Sequence, residues 1–436
     1  MDKFFKISAR GSSVRTEVLG GLTTFLAMAY IVAVNPTILA AAGVPFAAAL
    51  TATCLASAIA TFAMGFFANR PIALASGMGI NAVVAYGMCG SLGIDWRVAM
   101  AVVLLEGVVI LGLVLGGLRK AVMDAIPLDL RQAIGIGIGL LVTFIGLKGA
   151  GLIMPDDSTL VALGTLTEPS SIIAIVSIAI AIILTILKTP GGLLISIVVA
   201  VILGIPCGVT PLPTEWNFGL DFAAFAAPFQ EVDGTLAIFQ VFLQPALLLF
   251  VFSLLMSDFF DTLGTAVAIA KEGDFIDEKG DVKDIKPILT VDSSAAIIGG
   301  FFGASSITCF LESASGVAAG ARTGLSNMVV GALFLVCAFF APIFGMVSGS
   351  ATCGALVVVG FLIMSEVGAI SWKIPELAFP SFLIIVGIPF TYSITNGIGL
   401  GFIAYVILMV ACRRTREVKP LMWAAAGAFL LMFLLV

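Results

Sequence analysis

The sequence predicts an all-α polytopic membrane protein with about 14 transmembrane segments, arranged as two inverted repeats of seven. Composition is the first observation: 60% of the 436 residues are hydrophobic and 11% are charged, with a mean hydropathy of +1.19. Soluble domains carry about 25% charged residues, so lipid must cover a surface this poor in charge. The second observation is that apolar runs near the roughly 20 residues of a membrane-spanning helix recur along the chain. β-Barrel strands would be shorter and would alternate in polarity.

The apolar runs give the order of the segments. In the first half we expect segments at 17–35, 46–68, 72–90, 96–117, 130–150, 171–188 and 191–206. A polar stretch rich in proline and acidic residues, 207–236, separates the halves. In the second half we expect segments at 238–270, 287–302, 305–320, 325–346, 350–367, 378–395 and 396–412. A last apolar run, 420–436, is left over, so the topology after residue 412 stays open.

Two interrupted segments are the third observation. The third segment contains a short extended-looking run before Asn81, broken by Gly77 and Gly79, and the tenth contains the polar run 303–316. These places correspond in two halves of seven, and the odd number makes the repeat inverted. Paired interrupted helices mark a substrate site near the bilayer midplane, because non-helical backbone is tolerated there only inside protein or along a cavity. Either motif alone is more simply a close-packing interface of small residues.

The charge distribution predicts the orientation. Four cations precede the first apolar run: Lys3, Lys6, Arg10 and Arg15. The positive-inside rule therefore places the N-terminus in the cytoplasm of a multi-pass protein of the cell (inner or plasma) membrane. No short apolar region with a cleavage site of the A-x-A type is visible, so we expect no cleavable signal peptide.

Several classes of chemistry are missing from the sequence. There is no histidine, and the seven cysteines show no C-x-x-C spacing, so we expect no metal site and no disulfide framework. A G-x-x-x-x-G-K-[ST] motif is also missing, which excludes ATP hydrolysis through a P-loop. We therefore expect no enzyme, no catalytic residue, no cofactor and no nucleic-acid partner.

Carboxyl groups inside the apolar segments are the candidate site. Asp258 and Asp261 lie at i and i+3 on one face of the eighth segment, Glu312 opens the half-helix of the tenth, and Asp292 lies early in the ninth. Ionisable residues in hydrocarbon are costly and are functional candidates by default. A carboxyl group can hydrogen-bond the polar edge of a heterocycle and can also carry a proton. Several acids without a basic partner suit a neutral or weakly cationic substrate with a coupling proton, although some of them could simply bind backbone.

Other polar groups flank these acids. Asn81 offers a donor and an acceptor beside the Gly-x-Gly break, unless it only caps the helix. Half-helices that begin near Gly77 and Cys309 would direct backbone N–H groups at the cavity. Glu106 in the fourth segment has no obvious local partner, and a structural role is the simpler interpretation.

At these residues the sequence resembles a known family. The motifs are residues 16–30 continuing to Asn35-Pro36, 77–82, 144–148, 258–265, 312–316 with 322–325, and 389–397. Together they resemble the AzgA-like purine permeases of the nucleobase–ascorbate transporter group, over nearly the whole chain. The chain departs from the family pattern at Ser76, where proline is usual, and at Ile307, which interrupts a Ser/Thr run. Both positions lie beside the predicted pocket, so we leave the preferred purine open.

The resemblance implies a uracil-permease-like fold and proton-coupled import of adenine, guanine or hypoxanthine by an elevator motion. It implies a core domain (1–117 and 237–346) and a gate domain (118–236 and 347–436). The substrate-binding residues it implies, together with candidates from the tenth segment, are Asp258, Asp261, Glu312, Asn81, Gly77, Gly79, Ser305 and Thr308. The proton-coupling residues it implies are Asp261, Glu312, Asp258 and Asp292.

Several alternatives stay open. Na⁺ could replace H⁺ as the coupling ion, and permeases of this kind often pair through their gate domains, so a homodimer is a further alternative. A different class is an anion transporter of the sulfate or bicarbonate type on the same fold, against which the lack of a basic residue in the cavity argues. An intramembrane enzyme is a third class, and an ion channel fits least.

Overall fold

The structure of this chain, a computed structural model, describes residues 2–117, 126–213, 216, 218–273, 275–276, 282–283 and 285–435. The point at residue 118 where we expect the gate domain to begin lies outside the described residues. The first half contains the helices α1 Asp2–Phe5, α2 Val14–Met28, α3 Ile31–Ala41, α4 Phe46–Ala63, α5 Met78–Ala82, α6 Trp96–Leu115, α7 Leu128–Gly149, α8 Pro169–Ile186 and α9 Gly192–Gly204. The second half contains α10 Ala237–Leu243, α11 Pro245–Glu272, α12 Ile285–Phe302, α13 Ser313–Ala318, α14 Leu325–Cys337, α15 Ala341–Phe344, α16 Gly349–Met364, α17 Pro375–Thr391, α18 Ile394–Ala411 and α19 Pro420–Leu435.

Local sequence signals begin several of these helices. Proline occupies the first helical position of α8, α11 and α17, where its missing N–H costs nothing. Ser13 caps α2 by accepting a hydrogen bond from the N–H of Thr16. Two π-helical turns, Met64–Ala68 and Val83–Ser91, extend α4 and α5. The π-helical extension of α5 completes the third segment.

The strands are short and form three antiparallel pairs. They are β1 Leu74–Ser76, β2 Ile153–Asp156, β3 Leu160–Leu163, β4 Glu231–Val232, β5 Thr235–Leu236 and β6 Ile307–Cys309. Strand β1 pairs with β6, β2 with β3, and β4 with β5. The extended stretches predicted in the third and tenth segments are therefore present. The hairpin β2–β3 follows α7 in a connection that our sequence analysis left without structure.

The helices pack into two groups, each of which takes members from both halves of the chain. In the first group, α12 packs on α4 and α6, α14 on α2 and α4, α13 on α2, and α11 on α6. In the second group, α16 packs on α7, α8 and α9, and α17 packs on α7 and α18. The groups meet where α5 touches α7, where α11 touches α7, α18 and α19, where α3 touches α16 and where α2 touches α9.

Glycines bring α6 and α12 into close contact in the first group. A Cβ added at Gly107 would lie 2.7 Å from the backbone nitrogen of Ile297, and one at Gly300 would lie 2.7 Å from that of Leu104. Membrane helices approach this closely through small residues. This contact fixes the positions of Glu106 on α6 and Asp292 on α12 relative to each other along the helix axes.

The structure agrees with a multi-pass membrane protein. Within the described residues, nine helices are long and apolar enough to cross a membrane, and four shorter apolar helices accompany them. The count of 14 spans stays a prediction, because the two interrupted segments and α19 are not decided by length and composition.

Candidate functional site

The two interrupted segments meet at the centre of the first helix group. Strand β1 of the third segment lies antiparallel to β6 of the tenth, with Ala75 opposite Thr308, and all six strand residues are buried. The N–H of Gly77 donates to the carbonyl of Ser306 (2.9 Å), and that of Phe310 donates to the carbonyl of Ala73 (3.0 Å). The non-helical backbone of both segments therefore satisfies its own hydrogen bonds inside protein, as membrane depth demands.

Glu312 stands directly before the half-helix α13 and is fixed by a tyrosine. The hydroxyl of Tyr30 donates to Oε1 of Glu312 at 2.6 Å. Tyr30 is fully buried between α2 and α3, whereas Glu312 is partly exposed. Hydrogen bonds to a carboxylate are short and stronger than those between neutral groups, so the Glu312 side chain is held in one orientation.

The acid pair of α11 divides into a buried and an exposed member. Asp258 is fully buried, whereas Asp261 is exposed, and the exposure continues along the same helical face through Gly264 to Ala268. A Cβ added at Gly264 would meet no atom within 4 Å, and the same holds for Gly135 on α7. Asp261 therefore lies at the inner end of an open face that runs toward the C-terminal end of α11.

Asp292 is engaged by three donors. Its Oδ2 accepts from the hydroxyl of Thr262 (2.6 Å), and its Oδ1 accepts from the backbone N–H of Cys309 (3.0 Å) and, at 3.5 Å, from the hydroxyl of Thr308. The hydroxyls of Thr262 and Thr308 are themselves 2.9 Å apart. Asp292 thus ties α12 to α11 and to β6, and it takes up the Cys309 N–H that we expected to face the cavity.

Asn81 belongs to a fully buried polar chain. Its Nδ2 donates to Oδ1 of Asn35 at 2.6 Å, and Asn35 in turn donates to Oγ1 of Thr53 (2.8 Å) and to the carbonyl of Ala304 (3.2 Å). Ser305, the next residue, has φ +64 in the turn that leads into β6. This chain ties α3 and α4 to both interrupted segments.

Acidic groups dominate the electrostatics of the site. The charges that act on Asp261 come from Asp292 and Glu312, and Tyr30 lies close to both Glu312 and Asp261. Glu106, fully buried on α6, lies close to Asp258 and Asp292. Such an arrangement repels anions and favours a proton or a donor-rich neutral molecule.

A separate, small and mainly apolar cleft lies between the helix groups. It is lined by α3 and Tyr86 on one side and by α7 and α16 on the other, and it does not include the acids. Tyr392 borders this region, with its ring 5.4 Å from that of Tyr86 and with the Lys148 Nζ 4.8 Å from its centroid. We place the candidate site at the acids, because they bring several ionisable groups together beside the two interrupted segments.

Most of the expected site residues come together around the strand pair. Gly77, Ser305 and Thr308 flank or form it, and the carboxyl groups of α11, α12 and the tenth segment surround it. Gly79 lies on the other side of α5, where an added Cβ would be 2.7 Å from Cγ2 of Ile138 on α7. Sequence reasoning did not place Tyr30, Asn35, Thr53 and Thr262 at the site. The motifs that carry the family resemblance contained three of them, but nothing in the sequence indicated their partners.

Paired half-membrane segments that enclose polar groups are the architecture of secondary transporters, and the comparisons with known proteins give the family. A family model described as "Permease family" matches residues 15–401. The chain belongs to this permease family, and the resemblance to the purine permeases of the nucleobase–ascorbate group is confirmed.

Relatives match along nearly the whole chain. A putative permease of Methanocaldococcus jannaschii is 41% identical over 99% of this chain and 98% of its own length. The guanine/hypoxanthine permease PbuG of Bacillus subtilis is 38% identical over 100% of this chain and 99% of its own length. The adenine permease AdeP of Escherichia coli is 38% identical over 99% of this chain and 95% of its own length. These relatives are permeases, so the intramembrane-enzyme alternative is set aside.

Solved structures share the fold. The transmembrane domain of the cyanobacterial bicarbonate transporter BicA has a TM-score of 0.66 at 17% identity, covering 88% of this chain and 97% of that one. The murine anion transporter Slc26a9 has a TM-score of 0.64 at 14% identity, covering 91% of this chain and 68% of that one. At this level of identity the likeness concerns the fold alone.

Proposed function

We propose that this chain is a secondary active transporter that imports purine nucleobases, namely adenine, guanine, hypoxanthine or a subset of them, by proton symport. The observation that carries the proposal is the group of carboxyls around β1 and β6, with Asp261 exposed at its edge. The relatives named as guanine/hypoxanthine and adenine permeases support the purine substrate. The mutual proximity of the acids supports coupling to protons, because neighbouring carboxyl groups favour the protonated form of one another.

In this proposal the carboxyls of Asp261 and Glu312 bind the donor edge of the purine. Tyr30 holds Oε1 of Glu312, and Oε2 is the atom we expect to face the substrate. The remaining substrate contacts are proposed for Asp258, Asn81, Gly77, Ser305 and Thr308, whereas Gly79 is left out because it faces Ile138 of α7. Asp261, Glu312 and Asp258 are the preferred proton carriers, while Asp292 comes last because three hydrogen bonds already occupy its oxygens.

We further propose that the first helix group is the core domain and the second is the gate domain. The packing of helices from both halves into each group supports this division, as does the packing between the groups, which is sparser than the packing within them. Substrate would move as the core slides along the gate, with α5 and α11 moving against α7. The N-terminus would be cytoplasmic and the chain would contain 14 spans in a 7+7 inverted repeat.

The anion-transporter alternative is favoured by one observation, the fold shared with a bicarbonate transporter. Opposing it, the charged groups that act on Asp261 within the described residues are both acidic. An anion bound there would lack a positive counterpart and would face like charges, which raises its free energy.

The test is uptake of radiolabelled adenine, guanine, hypoxanthine, xanthine and uracil into cells that lack their own permeases. Each base is measured with and without a protonophore, and Glu312→Gln is run beside wild type. Purine uptake that the protonophore abolishes and the variant lacks supports the proposal. A well-expressed protein that imports sulfate or bicarbonate and no base would establish the alternative instead.

A further inference from the structure

The orientation of the Asn81 amide follows from a chain of donors and acceptors that begins at Ala304. A backbone carbonyl accepts hydrogen bonds and never donates, so the Asn35 atom that contacts the carbonyl of Ala304 is Nδ2. The hydroxyl of Thr53 gives its proton to the carbonyl of Ala49 at 2.6 Å, so it also accepts from Asn35 Nδ2. Both donor contacts of Asn35 lie on one side of its amide. Its Oδ1 therefore faces Asn81.

This orientation fixes Asn81 in turn. Because Oδ1 of Asn35 accepts, the Asn81 atom 2.6 Å away must be Nδ2. The carbonyl oxygen Oδ1 of Asn81 then points away from Asn35 and takes no part in this series of hydrogen bonds. It is fully buried, and within the described residues no donor lies within hydrogen-bond distance of it.

A buried amide oxygen without a donor is unfavourable, and native proteins rarely leave one in that state. Asn81 lies one helical turn after Gly77, whose N–H bonds to Ser306 beside the strand pair. An unsatisfied acceptor in the half-helix of an interrupted segment suits a ligand that supplies an N–H group.

We propose that Asn35 is a positioning residue, which holds the Asn81 amide so that Oδ1 accepts a hydrogen bond from a ring N–H of the purine. The proposal rests on the proposed function and adds a specificity element to it. Carboxylates and this oxygen together present acceptors, so the site selects purines by their donors. A purine with a methyl group in place of the recognised N–H is rejected. The Asn35 side chain does not touch the substrate and acts through Asn81.

The experiment measures competition against radiolabelled guanine or hypoxanthine uptake by each purine and its 1-, 7- and 9-methyl derivatives. In wild type we expect at least one methyl derivative to compete about tenfold more weakly than its parent, the scale of one hydrogen bond. In Asn35→Leu and in Asn81→Leu that discrimination falls toward unity and the KM of the parent purine rises. In Asn35→Leu, whose altered side chain does not touch the substrate, the maximal rate per transporter at the surface is retained.

The double variant Asn35→Leu/Asn81→Leu gives the decisive comparison. Two residues that act through one hydrogen bond have non-additive effects, so the double variant is expected to match Asn81→Leu alone. The inference would be overturned if the increases in KM of the two single variants added up in the double variant, or if Asn35→Leu discriminated against the methyl derivatives as wild type does. If wild type imports no purine, the proposed function fails, which is a separate outcome.

Two milder variants at Thr53 test the same role in case the leucine variants do not fold. Thr53→Val removes the hydroxyl that holds Asn35 and keeps the side-chain shape, while Thr53→Ser keeps the hydroxyl. We expect Thr53→Val to lower the methyl discrimination and Thr53→Ser to leave it as in wild type. Equal discrimination in the two variants would contradict the role assigned to Asn35.

Discussion

The contact between Gly79 and Ile138 joins the two helix groups, and it gives a steric test of their relative motion. A Cβ added at Gly79 of α5 would lie 2.7 Å from Cγ2 of Ile138 on α7, well inside van der Waals contact. Isoleucine in a helix strongly prefers one χ1 rotamer, so its Cγ2 atom does not move aside freely. Gly79→Ala is therefore expected to push α5 and α7 apart in this conformation.

The magnitude follows from the cost of overpacking. An added methyl group in a packed contact typically costs about 1–3 kcal/mol. If α5 and α7 lie farther apart in another conformation of the transporter, the same free energy shifts the equilibrium toward that conformation by about 5- to 150-fold. We expect the rate of purine uptake by Gly79→Ala to be about 5- to 150-fold lower than that of wild type, with the protein still present at the membrane.

Compensation and a matched control make the test specific. Ile138→Ala removes the opposing methyl groups, so Gly79→Ala/Ile138→Ala is expected to recover most of the uptake. Gly135→Ala, one turn earlier on α7, adds the same methyl group where no atom lies within 4 Å and is expected to behave as wild type. Normal uptake by Gly79→Ala, or no recovery on shortening Ile138, would refute the reasoning.

Two further predictions concern the acids. Tyr30→Phe removes the donor to Glu312 and keeps the buried ring. Because a hydrogen bond to a charged group contributes about 1.5–3 kcal/mol, the kcat/KM of uptake should fall at least tenfold. A loss below twofold would show that this bond does not orient Glu312. Gly264→Trp fills the open face that leads to Asp261 and should abolish purine uptake, while Gly264→Ala should retain it. Uptake by Gly264→Trp at the wild-type rate would mean that the substrate path does not pass along α11.

The sequence was sufficient to predict the membrane class and the interrupted segments, and it made the acids within the apolar segments candidates for the site, because each is a local signal. Apolar runs, Gly77 with Gly79, and carboxyls in hydrocarbon need no knowledge of tertiary contacts. The hairpin β2–β3 and the partition of the leftover run into α19 were not predicted, since short strands and apolar helices of marginal length carry weak patterns. The count of spans meets the same difficulty.

The partners of the polar groups are set by long-range contacts that no local pattern encodes. Glu312 meets Tyr30 across 282 residues and Asn81 meets Asn35 across 46. From the sequence we could not assign the proton to one of the four acids, because the proton affinity of a carboxyl group depends on its surroundings.

The structure separates the acids by what surrounds them. Asp292 accepts three hydrogen bonds and holds β6 in place, Asp258 is buried beside Glu106, and Asp261 is exposed. A group that binds and releases a substrate and a proton must be reached by both, whereas a group that holds a strand must not change partners. If transport is coupled to protons as we propose, Asp261 and Glu312 meet the requirement for coupling, and Asp292 meets the requirement for keeping the interrupted segments in place.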